Sequence, residues 1–109
     1  MEKDIEIESL YESYKPLLTK KMQNLFELYY YQDLSLREIG ENKGISYQAC
    51  RDSIKKVEKQ VAEYEQKLGL NGLKMKIEKS LEYIEANKSI STETKVENIK
   101  KILEEKINI

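Results

Sequence analysis

The chain has 109 residues, of which 39 % are hydrophobic and 36 % charged, with one proline, four glycines, one cysteine, no histidine and a formal net charge of -1. That length holds one compact domain or a small domain plus an arm, and the composition is that of a water-soluble, helix-rich protein. A lone cysteine excludes an internal disulfide, the lack of histidine excludes the usual zinc sites, and no run approaches the roughly 20 apolar residues of a membrane span.

Met1-Glu2-Lys3-Asp4 is acidic and lacks the apolar stretch of a signal peptide. A cytoplasmic protein with no cofactor, no metal and no membrane insertion is therefore expected. Ile5, Ile7, Leu10, Tyr11, Tyr14, Leu17 and Leu18 follow a largely helical spacing. Pro16 pushes its predecessor away from helical angles, so the first helix should end near Tyr14. Thr19 can cap a second helix from Lys20 to about Tyr31, with Met22, Leu25, Phe26 and Tyr29 as its buried stripe. The consecutive Tyr29, Tyr30 and Tyr31 point in different directions, so at most two can join a core. Packing with a phenol tip at the surface is the expected role, ahead of a stacking platform for bases.

The stretch from Leu34 to Lys56 reads as two helices joined by a very short turn. Ser35 and Glu38 have the spacing of a capping box, and Leu34 with Ile39 that of a hydrophobic staple. Gly44 can adopt the left-handed conformation that ends a helix. Ser46 caps the second helix, and Ile45 with Cys50 repeats the staple spacing. This is the pattern of a helix-turn-helix. Gly40 then belongs where the two helices approach, and Ile39, Ile45 and Cys50 form the shared seam. Lys43 and Ser53 depart from the motif, standing where it usually places apolar residues.

The second helix continues beyond the motif. Cys50, Ile54, Val57, Val61, Tyr64 and Leu68 recur at heptad spacing, and Leu68-Gly69 supplies a stop. Val57, Val61, Tyr64 and Leu68 extend past what one small domain covers, which points to a homodimer seam. Asn71-Gly72 opens the next element, where Leu73, Ile77, Leu81 and Ile84 mark one helix face to about Ala86. Asn87 to Ile90 forms a turn, and Ser91-Thr92-Glu93 starts a last helix carrying Val96, Ile99, Ile102, Leu103 and Ile107, with Lys100, Lys101 and Lys106 toward its end. The expected organisation is residues 1–69 as a DNA-binding-like unit and residues 70–109 as a helical pair, with Gly69–Gly72 as a hinge.

Charge is uneven along the chain: residues 1–14 hold five acids and one base, residues 15–60 nine bases and six acids, and residues 61–109 nine of each. The mildly basic middle contains the helix-turn-helix. On the outward face of its second helix, Arg51 can grip guanine with its fork and Gln48 can pair with adenine. Ser46 and Tyr47 lie at the helix start, where Tyr47 can meet a phosphate or a thymine methyl. Lys55, Lys56 and Lys59 are candidate phosphate contacts. The bland alternative is a solvated amphipathic face. Cys50 lies on the apolar seam with no histidine to activate it, and no carboxylate cluster stands out, so catalysis has no candidate constellation.

The block from Leu17 to Tyr30, then Leu34-Ser35-Leu36-Arg37-Glu38-Ile39 and Gly44-Ile45-Ser46-Tyr47-Gln48-Ala49, resembles the bacterial YlxM family. Asp52-Ser53-Ile54-Lys55-Lys56 and Glu58-Lys59 continue the resemblance. It also looks like the terminal helix-turn-helix of sigma factors. The resemblance implies an all-α fold: a helix-turn-helix domain of the winged-helix-like, sigma region 4-like kind, with a long recognition helix and a C-terminal helical hairpin. It also implies an accessory or regulatory role in the signal recognition particle pathway, because the family's genes neighbour those of that particle. Two functions follow as expectations. One is a dimeric DNA-binding regulator; the other is a module that binds the particle's protein or RNA.

Overall fold

The computed structural model describes residues 1–105, and all regular structure among them is helical. Helix α1 spans Ile5–Tyr14, a 3-10 turn covers Lys15–Leu17, and α2 spans Lys20–Tyr30. Helix α3 is Leu36–Lys43, α4 is Tyr47–Leu68, α5 is Leu70–Ala86 and α6 is Thr92–Glu104. The chain divides into two compact units, Met1–Lys67 and Leu68–Ile109. Ile107 and Lys106, expected on the last helix, lie outside the described residues. No helix among those described is long and apolar enough to cross a membrane.

Side-chain caps fix most helix starts. The Asp4 carboxylate accepts the Glu6 N–H at 2.8 Å, and the Thr19 hydroxyl accepts that of Met22 at 3.1 Å. Each satisfies a backbone donor that the first helical turn leaves unpaired. Pro16 falls in the 3-10 turn, and α1 ends at Tyr14 as its sequence position requires.

The first unit packs α1, α2, α3 and most of α4 around one aromatic-rich core. Phe26 is the centre of a stack, 4.0 Å from the Tyr11 ring centroid and 4.1 Å from that of Tyr30. Of the three consecutive tyrosines, Tyr29 and Tyr30 are buried and Tyr31 is exposed. Tyr30 joins Leu25, Phe26 and Tyr29 in the covered face of α2, while Met22 is only partly buried at its edge.

Each phenol that enters this core needs a partner for its hydroxyl. Carboxylates provide it for Tyr11, Tyr14 and Tyr30, and the Met1 carbonyl accepts from Tyr29 at 2.8 Å. Tyr11 donates to Glu27 and Tyr31 to Glu12, tying α1 to α2 and the residue after it. Tyr30 donates to Glu58, tying α2 to α4, and Tyr14 donates to Glu65, tying α1 to α4. Burial, reinforced by these acceptors, pushes the hydroxyls of Tyr11, Tyr30 and Tyr31 far above the ordinary tyrosine value. The Glu27 carboxyl is held low, first by the Tyr11 hydroxyl and then by Lys15, whose ammonium lies 3.0 Å away.

The expected subunit seam on α4 is corrected here. Val57 and Val61 are completely buried in the core of their own unit, because α1 and α2 already cover that side of the helix. Tyr64 is half-buried, its ring centroid 5.8 Å from that of Tyr14, and only Leu68 is exposed. The heptad pattern is real, but most of it marks an intrachain core.

The second unit is the hairpin of α5 and α6. Its first helix begins at Leu70, so Asn71 and Gly72 lie inside the first turn, not ahead of it. Gly69, at φ +64°, is the single left-handed residue between α4 and α5. Ser91 caps α6 through the Thr94 N–H at 3.3 Å. The helices are joined by polar contacts: Lys76 Nζ donates to the Leu103 carbonyl at 2.9 Å, and Asn98 Nδ2 to the Tyr83 hydroxyl at 2.6 Å. Lys76, Ser80 and Tyr83 thus form the covered column of α5. Its apolar column remains open, with Leu73 51 %, Ile77 48 %, Leu81 60 % and Ile84 40 % exposed.

Candidate nucleic-acid interface

The motif is assembled from its caps. The Glu38 N–H donates to the Ser35 hydroxyl and the Ser35 N–H to the Glu38 carboxylate, both at 3.1 Å, which closes the capping box. These contacts, the Ser35 N–H foremost, hold the exposed Glu38 carboxyl below the usual range. At the other end of α3, Gly44 sits at φ +70°. That conformation costs an L side chain roughly 1–2 kcal/mol. It lets the N–H groups of both Gly44 and Ile45 return to the Gly40 carbonyl, the latter at 2.9 Å.

Gly40 is buried, and its role differs slightly from the expected one. A Cβ there would lie 2.8 Å from the Ile45 carbonyl oxygen and 3.6 Å from the Ser46 backbone. The close approach is thus between α3 and the backbone of the turn itself. Glycine at this position lets the turn fold tightly against α3 and so fixes where α4 begins. Ser46 then caps α4: its hydroxyl accepts the Ala49 N–H and its carbonyl the Cys50 N–H, both at 3.0 Å. Ile39 and Cys50 are fully buried and Ile45 is partly so, which forms the expected seam. Burial raises the Cys50 thiol above its ordinary value, opposite to what a nucleophile needs.

Helix α4 runs 22 residues, about 33 Å at 1.5 Å each. Ser46, Tyr47, Gln48, Lys55, Lys56 and Lys59 are exposed, while Arg51 is partly buried at the shoulder of the face. The fold brings Tyr47, Arg51, Lys55 and Lys59 into one column at four-residue spacing, with Gln48, Asp52 and Lys56 beside it. Gln48 Nε2 donates to Asp52 Oδ1 at 2.9 Å, orienting the amide and leaving its carbonyl oxygen and second N–H outward. Arg51, Lys55, Lys56 and Lys59 make no ion pair among the described residues. The expected interaction residues Val57 and Val61 face the opposite way, into the core. Of the two departures from the motif, Lys43 is exposed and Ser53 partly buried.

A lysine that sequence spacing does not connect to the adjacent pair Lys20-Lys21 also meets them. Lys20 and Lys21 in the first turn of α2 and Lys43 at the end of α3 line a cleft with Asn24, Leu25 and Ile45. The one advance sign was Lys43, a charge standing where the motif favours an apolar residue. Among the described residues, no group of three potential metal-binding side chains gathers.

Residues 1–104 match the profile of UPF0122, described as "Putative helix-turn-helix protein, YlxM / p13 like". The chain is 51 % identical over 70 residues to a UPF0122 protein of Limosilactobacillus reuteri (strain DSM 20016), a match covering 64 % of this chain and 62 % of the relative. It is 48 % identical over 68 residues to UPF0122 proteins of Streptococcus gordonii and Streptococcus pneumoniae (strain Hungary19A-6), covering 62 % of both partners in each case. These matches span less than two thirds of the relatives' own length.

Proposed function

We propose, from the premise that the chain belongs to the UPF0122 family of helix-turn-helix proteins, that it is a cytoplasmic regulator that reads duplex DNA with the exposed face of α4. The family's description is that of a helix-turn-helix protein. One observation carries the reading. A capped helix is mounted on a tight turn so that the face of its first turns opposite the buried Cys50 and Ile54 is open to solvent, bearing a glutamine, an arginine and lysines without ion pairs. A helix so presented fits a major groove with its N-terminal residues toward the base edges.

The roles follow from the side-chain chemistry. Arg51 grips O6 and N7 of guanine with two N–H groups, and Gln48 uses its remaining amide groups on adenine. Tyr47 and Ser46 lie at the helix start, where they meet backbone or a thymine methyl. Lys55, Lys56 and Lys59 extend the contact along the phosphates, fixing register without specifying sequence. The test is selection from a random duplex library followed by Arg51→Ala. Loss of preference at one position, corresponding to roughly 1–3 kcal/mol of discrimination, is expected. Unchanged specificity in a variant lacking Arg51, Gln48 and Lys55 together would remove the reading.

A second reading is favoured by the open apolar column of α5. In it, the chain is a protein- or RNA-interaction module of the protein-targeting machinery, acting with the signal recognition particle. The net charge of -1 also suits a protein partner, the first of these two, better than a long polyanion such as DNA or RNA. Salt separates the two: phosphate contacts make affinity fall steeply as salt rises, and an apolar protein interface does not. Under the DNA reading, the same column of α5 serves a homodimer, which would present two recognition helices to successive turns of a duplex.

A further inference from the structure

Lys20, Lys21 and Lys43 come from two helices and border one concave surface whose lining contains no carboxylate. None of the three makes an ion pair among the described residues. The contrast with Lys15 is informative. That lysine, just ahead of α2, is neutralised by Glu27 at 3.0 Å. Lys20 also bears on Glu27 from farther away, but that carboxylate is already held by Lys15 and Tyr11. Three like charges around a hollow repel one another, and the positive end of α2 adds to the same sign of potential. Leu25 and Ile45 give the hollow an apolar floor suited to lysine methylene stems, with the ammonium groups at its rim.

Position gives the hollow a purpose. Ile45 lines it and is followed directly by Ser46, the cap of α4. The cleft therefore adjoins the start of the recognition helix. An anion gripped there would lie beside whatever α4 contacts, and a duplex offers a phosphate beside every base step. We propose that Lys20, Lys21 and Lys43 form a second contact, a cleft that clamps the phosphodiester backbone of duplex DNA next to the groove read by α4. This rests on the DNA reading of α4 and adds a site that fixes register on the duplex without reading sequence. It also accounts for Lys43, whose charge suits a phosphate contact at a place where an apolar residue would serve packing.

The test is binding of the full chain to a mixed-sequence duplex, followed by fluorescence anisotropy from about 50 to 200 mM salt. The Lys20→Gln, Lys21→Gln, Lys43→Gln triple variant is compared with wild type and with Arg51→Ala. All three lysines are exposed, so the triple variant should keep its helical circular dichroism and its melt. Each lost phosphate contact lowers the slope of log affinity against log salt by about 0.9, so a slope shallower by about 2–3 is expected. The loss should be equal on every duplex sequence, whereas Arg51→Ala should keep most of the slope and lose preference. A triple variant with the wild-type slope overturns the cleft and leaves the α4 reading standing. Wild type that fails to bind the duplex, or that binds only an RNA hairpin offered in parallel, overturns both.

Discussion

Tyr14 and Glu65, 51 residues apart in sequence, meet through the phenol hydroxyl and a carboxylate oxygen, and both side chains are buried. The contact joins the last turn of α1 to the last turns of α4. It lies well beyond the helix-turn-helix, so it braces the far half of α4, while Cys50, Ile54 and Val57 hold the near half against the core. A hydrogen bond to a charged group contributes about 1.5–3 kcal/mol. Tyr14→Phe should lower the denaturation free energy by that amount while leaving the ring packing on Tyr64 in place. A loss below about 0.5 kcal/mol in urea titration would show that the bond adds nothing net to stability.

At Gly40 the smallest possible side chain already collides, since the Ile45 carbonyl would be 2.8 Å from its Cβ. The obstacle is backbone and cannot swing away. Gly40→Ala should therefore destabilise by about 1–3 kcal/mol despite the better helix propensity of alanine. Gly44→Ala meets no neighbour within 4 Å, and its cost comes only from φ +70°, roughly 1–2 kcal/mol with no steric clash added. Thermal melts of the two variants should rank in that order. The reverse ranking would mean that the turn can withdraw from α3.

Charge placed on α4 and on α5 should have opposite consequences. Val61→Glu introduces a carboxylate into a fully buried site, and an uncompensated buried charge costs roughly 3–5 kcal/mol. The first unit should lose its cooperative melt. Ile77→Glu changes a residue that is 48 % exposed, so the chain should stay folded and the homodimer proposed through α5 should be lost. Sedimentation equilibrium reads both outcomes. Wild type sedimenting at 12.9 kDa would dispose of the homodimer.

Stability should decline at both ends of the pH scale, for different groups. The folded Glu27 and Glu38 carboxyls titrate below their ordinary value of 4.5, so the unfolded chain takes up protons first as pH falls. Their contribution is present above that value and is lost as pH drops through it toward the folded values. Tyr11, Tyr30 and Tyr31 titrate above their ordinary value of 10.0. Here the unfolded chain releases protons first, so stability is full below that value and is lost as pH rises beyond it. Urea midpoints at about pH 3, 7 and 11 should describe a dome. An alkaline limb unaffected by Tyr11→Phe would assign that loss to other groups.

Most of the helix-turn-helix could be read residue by residue because its determinants are local. Ser35, Glu38, Gly44 and Ser46 act on backbone within a few positions, and sequence order carries that information. Burial partners are not local. The column from Cys50 to Val61 looked as if it exceeded the reach of one domain, yet the aromatic side chains of α1 and α2 cover it. Periodicity identifies an apolar face but not the element that will cover it. The same gap hid the inverted hairpin, where α5 turns Lys76, Ser80 and Tyr83 toward its partner helix and leaves Leu73, Ile77 and Leu81 exposed. It also hid the lysine cleft, which exists only once α2 and α3 are packed.

The lacing of phenols to carboxylates has an optical consequence. The chain contains eight tyrosines and no tryptophan, so no indole collects the energy that its phenols absorb. Four of those phenols, on Tyr11, Tyr14, Tyr30 and Tyr31, donate to carboxylates, an arrangement that quenches tyrosine emission by drawing off the proton of the excited state. The folded protein should glow faintly and brighten when it unfolds. It carries its own reporter of whether α1, α2 and α4 remain joined, requiring neither a label nor an engineered chromophore.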